Sequence, residues 1–394
     1  MSILKKPSKS IGKPKESIMG HIYTPGLKVT EYTHIKKSRI LPLKGNVVVE
    51  VGQKVRPDDV VARTELPGSV DQISVSNLLG CDPDDLPIFM RVETGESVEA
   101  GTVIAQNNGF LGTGIFRTSV KMPFEGSVES VSTVTGNVLL RAKPIPVEIT
   151  AYIEGEVTEI IPDEGVIVEA DASFIQGIFG VGGERFGEIV IASEDRLKDL
   201  EEDLIHDSHR GKILVCGRRV TAGAFRKAMD NGVKAIVAGG IDDRDLRDFL
   251  GYDIGVAITG SENIETTLII TEGFGEIPMA QGTFNLLKKY KGRSASVNGA
   301  TQIRAGVIRP EIVIAQPEPP EGFTEPVKSK LGLNLGSVVR VIRYPYFGQL
   351  GEVVALPPEL QVLESESKAR VLKVRFEDGS EAMVPRANVE MIEG

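Results

Sequence analysis

The stretch GQKVRPDDVVA (residues 52–62) returns as GESVEAGTVIA (residues 95–105), with the glycine, the first valine, the β-branched pair and the closing alanine at the same offsets. A turn glycine followed by β-branched residues is a hairpin signal, and its recurrence predicts a quasi-symmetric β-structure. A second pair of copies follows. FEGSVESV (residues 124–131) with Gly136 beyond it is matched by IEGEVTEI (residues 153–160) with Gly165 at the same distance. Valine and glutamate alternate in both copies, as in strands with one buried and one wet face.

Outward from these repeats, residues 25–185 are short β-branched segments punctuated by glycine, which predicts a β-domain. Residues 186–292 change character. After the apolar run EIVIA (188–192), Ser193 precedes Glu194 and Asp195, an N-cap with acidic first-turn residues, and Leu197, Leu200 and Leu204 then share one helical face. Strand-like KILVC (212–216), a helix from Thr221 to Gly232, VKAIVA (233–238), a helix from Asp242 to Leu250, GVAIT (255–259) and TLIIT (267–271) follow. That alternation predicts a small α/β unit of two or three layers around a mostly parallel sheet. Residues 293–315 read as β again, so the α/β unit is either an insertion into the β-domain or a separate domain. Residues 316–330 open with QPEPPEGFTEP, a semi-rigid polyproline linker, and residues 331–394 form a last unit. The fold class expected is therefore multidomain, mostly β, with a small α/β domain.

At 394 residues and 41% hydrophobic content the chain has ample material for several buried cores. The start of the sequence is rich in lysine, serine and proline, and residues 1–24 are expected to be a disordered basic tail; the first 20 residues carry five lysines and one glutamate. No apolar run reaches the roughly 18 residues of a membrane helix, so a cytoplasmic protein without membrane contact is expected. Cys81 and Cys216 stand alone, which supplies neither a disulfide framework nor a thiolate metal site. The formal net charge of −10 disfavours nonspecific attachment to nucleic acid.

A GxxVxxxxVIA half followed by the PxxGxVxxV half at Pro123 to Val131 resembles the barrel-sandwich hybrid fold of biotinyl and lipoyl carrier domains and their non-carrier relatives. The resemblance covers roughly residues 40–170 and implies a fold, not an activity. Carrier domains present a modified lysine between the two halves, where this chain reads QNNGFLGTGIFRTSV; Lys121 lies beyond that stretch, so no biotin or lipoyl attachment and no other cofactor is expected. In the last unit, Gly336, Val338 and Val341, then Gly348, Gly351 and Val353, then VRFEDG (374–379) and Val384 resemble the KOW family of SH3-like barrels. That resemblance implies a docking module for RNA or protein.

Two sets of residues are candidates for binding. Strand ends of an α/β sheet collect ligands, and here they read Gly217, Arg218 and Arg219 before a helix capped by Thr221, then Gly239 and Gly240, Thr259 and Gly260, and Thr271, Glu272 and Gly273. Glycines admit a ligand to the backbone, and two arginines beside a helix start suit an anion; tight βα turns are the alternative explanation of the same glycines. The cluster QGIFGVGGERFGE (176–188) lacks the closing GKS of a phosphate loop and reads as a junction, with Glu184 and Arg185 able to line an interdomain cleft. In the last unit Arg340, Arg343, Tyr344, Tyr346 and Phe347 interleave cations with aromatics, a pattern that stacks bases or makes protein hot spots. Residues 331–394 hold seven Arg/Lys and nine Asp/Glu, so no broad basic surface accompanies it. His206, His209 and Glu202 are tolerably spaced for a metal, but histidines near a helix end need none, and no metal is expected. No nucleophile elbow or Cys/His pairing is present.

These readings favour a non-catalytic adaptor that docks on RNA, a transcription or translation complex, or a protein partner. A phosphate- or nucleotide-binding enzyme or sensor using the α/β strand ends is the alternative, and a structural homo-oligomer subunit is a third. The sequence leaves the partner, the ligand and the oligomeric state open.

Overall fold

The structure is a computed structural model that describes residues 27–107, 117–250, 264–302, 308–321, 323, 333–341, 345–346, 349–357, 360–362, 368–376 and 378–393. The basic tail at residues 1–24 and the strand expected at 255–259 lie outside them. The described chain is mostly β, and among the described residues no helix is long and apolar enough to cross a membrane.

The two pairs of sequence repeats are two copies of one motif, one nested in the other. In the outer copy the strand Lys54–Val55 pairs with Gly155–Ile161; in the inner copy Ser97–Val98 pairs with Gly126–Val131. Gly52, at φ +86°, donates its N–H to the Val157 carbonyl at 2.7 Å, and Gly95, at φ +89°, donates to Val128 at 2.8 Å. The left-handed backbone of each turn explains why glycine recurs there. Each copy has its own core. Val55, Val61, Ile153 and Val157 belong to one, and Ile104, Met122, Val128 and Leu140 to the other. The copies are joined by two strand pairs in tandem, Val60–Leu66 with Ile145–Thr150 and Val70–Ser74 with Asn137–Ala142.

Beyond the outer copy, the strand Gly165–Gln176 pairs with the long strand Leu27–Ile40 on one side and with Glu311–Ala315 on the other. Glu311–Ala315 pairs in turn with Ser294–Asn298, and that with Glu184–Ile191. There the sheet becomes parallel: Glu184–Ile191, Ile213–Val215, Ala235–Ile241 and Thr267–Phe274 lie side by side in chain order. Alternate residues of these strands serve opposite faces. Leu214, Ile236 and Leu268 pack against Phe225 of the helix Ala222–Asp230 and Leu246 of Asp243–Leu250. Ile213, Val237 and Ile269 pack against Phe284 and Leu287 of the helix Gln281–Lys289. Helices thus cover both faces.

The helix expected after Ser193 does not form. Between Ala192 and Lys212 the chain makes only 3-10 turns at Glu202–Leu204 and Asp207–His209. Leu200 is instead bridged to Val220, with its N–H bonded to the Arg219 carbonyl at 2.7 Å, and this tertiary pairing takes the backbone groups a helix would use. Ser193 accepts from the Asp195 N–H at 3.2 Å as a turn, and Leu197 is left exposed.

The last unit is an antiparallel set of strands in which Val338–Val341 pairs with Leu350–Ala355 and Val389–Glu393, and Lys368–Phe376 pairs with Leu350–Ala355 and Glu381–Pro385. It is tied to the rest by a parallel pairing of Leu27 with Ile392.

Candidate functional site

The strand-end crevice nominated by the sequence is filled by the chain itself. A Cβ on Gly239 would lie 2.4 Å from the Ile277 carbonyl oxygen, one on Gly240 2.2 Å from that of Gly275, and one on Gly217 2.3 Å from that of Arg196. The Met279 N–H is bonded to the Gly217 carbonyl at 2.6 Å, and the Arg196 guanidinium to the Met279 carbonyl at 2.7 Å. These glycines admit backbone, and the backbone is that of residues 196 and 275–279. Arg218 and Arg219 are matched by Asp199 and Glu276: Arg219 reaches Asp199 at 3.0 Å and Glu276 at 3.2 Å, while Arg218 pairs with Glu276 and lies 3.4 Å from Asp199. Two positive and two negative charges leave no surplus for an anion. Thr221 is committed as well, its Oγ1 accepting from the Ala224 N–H at 3.2 Å and donating to the Leu200 carbonyl at 3.3 Å. Thr259 and Gly260 lie outside the described residues.

The remaining strand end leads elsewhere. Strand Thr267–Phe274 is buried up to Gly273, and it delivers Thr271 and Glu272 to the start of the helix Gln281–Lys289. Glu272 Oε1 accepts the Ala280 N–H at 2.9 Å, placing a carboxylate at the positive end of that helix. Its other oxygen pairs with Arg340, which also donates to the Thr271 carbonyl at 3.2 Å and, more weakly, to that of Glu272 at 3.4 Å. Arg340 is 3% exposed and Glu272 2%. Two candidates assigned to separate domains by the sequence, Glu272 for a ligand and Arg340 for a docking partner, are therefore one buried ion pair.

This pair lines a cavity of about 440 Å³ between the sheet and the last unit. Leu27, Val29, Val338, Leu350 and Phe376 supply apolar wall; Gly282 and Thr283 bring the first helical turn to it; Glu352 and Arg375 are exposed members of its lining. Nε of Arg340 is buried and has no hydrogen-bond partner. The helix N-cap, Ala280, offers no side-chain acceptor, so the first-turn N–H groups lack the usual cap.

Among the other nominated residues, Tyr346 stacks on Phe376 with ring centroids 5.1 Å apart, while Arg343, Tyr344 and Phe347 lie outside the described residues. Glu184 holds Arg39 through two bonds of 2.7 Å, and Arg185 donates to the carbonyls of Ile264 and Glu265 at 2.7 and 2.9 Å, so the glycine-rich junction is fastened by its charged pair. His209 Nδ1 accepts the His206 N–H at 3.2 Å, and burial is the leading cause that pushes the His209 imidazole below its ordinary pKa. Among the described residues no three His, Cys, Asp or Glu side chains are placed to hold a metal. Both cysteines are free, and burial pushes the Cys216 thiol up to about 12, where it is unreactive.

Sequence reasoning missed Gly282 and Arg375. It also nominated Arg340 for docking: in VVRV (338–341) the arginine alternates away from Val339 and Val341, which fill the unit's own core, and it is packing against Thr271 and Glu272 that buries it. No family model matches the sequence, and no curated protein matches it.

Proposed function

We propose that this chain is a small-molecule-binding protein, of the sensor or carrier kind, whose ligand occupies the cavity between the α/β sheet and the last unit. The observation that carries this reading is the cavity itself, about 440 Å³ with apolar walls, whose lining includes the buried Arg340–Glu272 pair and the first turn of the helix Gln281–Lys289. The architectural resemblances belong to the same proposal: the nested β-units are barrel-sandwich hybrids without a carrier lysine, and the last unit is a KOW-type SH3-like barrel that closes the cavity. Docking on RNA or protein is the second reading: of its five residues Arg340 is buried and Tyr346 packs on Phe376, and Arg343, Tyr344 and Phe347 lie outside the described residues.

The test is native mass spectrometry of the full chain purified from cells, wild type against Gly282→Leu. A Cβ added at Gly282 meets no atom within 4 Å beyond its own helix, so a larger residue is tolerated there at the cavity wall. A small molecule released from the wild type and missing from the variant is the expected result. RNA or ribosomal or polymerase subunits accompanying both forms, with no small molecule, would return the docking reading.

A further inference from the structure

We infer that the ligand is an uncharged, apolar molecule, selected by its fit to the cavity walls and by the exclusion of charge rather than by a polar head group. The inference rests on the cavity reading above and specifies the ligand's chemistry.

Polar side chains of the wall are spent within the protein. Arg340 and Glu272 are both nearly fully buried, so their pair is enclosed and presents the space with neither a net charge nor an open donor. The Thr271 hydroxyl donates to the Ala238 carbonyl at 3.3 Å, and Gln176 Oε1 accepts the Lys28 N–H at 3.0 Å. Charges at the rim balance as well. Arg375 donates to Glu381 at 2.9 and 3.1 Å, Lys373 reaches the same carboxylate at 2.5 Å, and Glu352 lies opposite Arg375 in the strand pair. Two cations thus stand beside two carboxylates, and an ion of either sign finds no unmatched partner. Entering the cavity, it would give up hydration that the wall does not replace. The space is bounded instead by Leu27, Val29, Val338, Leu350 and Phe376, and Val338 keeps 45% of its surface exposed there. Covering such surface with an apolar body is favourable in proportion to the area removed from water. A volume of about 440 Å³ lies in the size range of small-ligand sites.

Displacement of N-phenyl-1-naphthylamine, an uncharged dye that brightens in apolar surroundings, tests this on the full chain. Three competitors share a naphthalene body and a tetrahedral substituent of similar shape: 2-tert-butylnaphthalene is uncharged, trimethyl(2-naphthyl)ammonium is a cation and 2-naphthalenesulfonate is an anion. Because the charge stands next to the ring, it cannot stay in solvent while the ring is buried. The uncharged compound is expected to displace the dye at a concentration about tenfold or more below that needed for either ion. Gly282→Leu and Val338→Glu, both at exposed positions of the wall, are each expected to weaken dye binding about tenfold. An ion that competes as well as the uncharged compound, with dye binding still weakened by the variants, would overturn the uncharged ligand and leave the cavity reading standing. Dye binding that both variants leave unchanged, or no dye binding at all, would overturn the inference, with the native mass spectra judging the cavity reading separately.

Discussion

Glu272 and Arg340 each depend on the other. Removing one member of a buried pair strands its partner's charge, so Glu272→Ala is expected to cost about 3–5 kcal/mol in urea unfolding. Replacing both, with Leu at 272 and Met at 340, should cost less than the single change, because neither charge is then left alone. Gly239 makes a different point. Its Cβ position is occupied by the Ile277 carbonyl and the Met279 N–H, so Gly239→Ala must push residues 277–279 away, and it is expected to destabilise by more than 2 kcal/mol, roughly the scale of overpacking. The sequence marked that glycine as a place where backbone is approached. It could not say whether a ligand or the chain approaches, because that depends on where residues far along the chain come to lie. His34 sits between Asp171 at 2.9 Å and Glu169 at 3.0 Å, and these carboxylates raise its pKa above the ordinary value. A raised folded-state pKa stabilises the fold at pH below the unfolded value of about 6.5, and the contribution is lost as pH rises through the folded value. His34→Gln should therefore lower the urea midpoint at pH 5.5 and leave it nearly unchanged at pH 9.

At the scale of elements, the nested repeat was legible because its turn glycines and alternating valines answer to local rules. The nesting was not, since which copy of the hairpin pairs with which later strand is a long-range choice. The inner copy has its own core, and its ends meet where the Ala142 N–H bonds to the Ser69 carbonyl at 2.9 Å. A fragment of residues 67–144 is accordingly expected to fold alone, with dispersed amide resonances in a proton–nitrogen correlation spectrum; a collapsed spectrum would show that it needs the outer copy. The missing helix after Ser193 teaches the converse. Its cap residue, acidic first turn and leucine spacing satisfied every local criterion, yet Leu200 found an edge partner at Val220 and burial in the sheet core. Tertiary pairing outweighs helix propensity differences of a few tenths of a kcal/mol per residue.

Across the whole molecule, the strand Leu27–Ile40 links the outer β-unit to the last unit: its start pairs with the strand Val389–Glu393, its length with Gly165–Gln176, and Leu27 and Val29 line the cavity. The last unit closes that cavity and supplies the only partner described for Glu272 Oε2. A chain ended after Gln316 should unfold at a urea midpoint well below the full chain's, which equilibrium unfolding of the two forms would measure. Periodicity, turn glycines and composition by themselves determined a mostly β chain with several sheets and a stretch of alternating strands and helices, because those features reflect interactions within a few residues. The cavity, its buried ion pair and its unpartnered donor were decided only by the tertiary structure. They join Glu272, Gly282 and Arg340 across units of the chain, and no local pattern records which distant charge a buried arginine will meet.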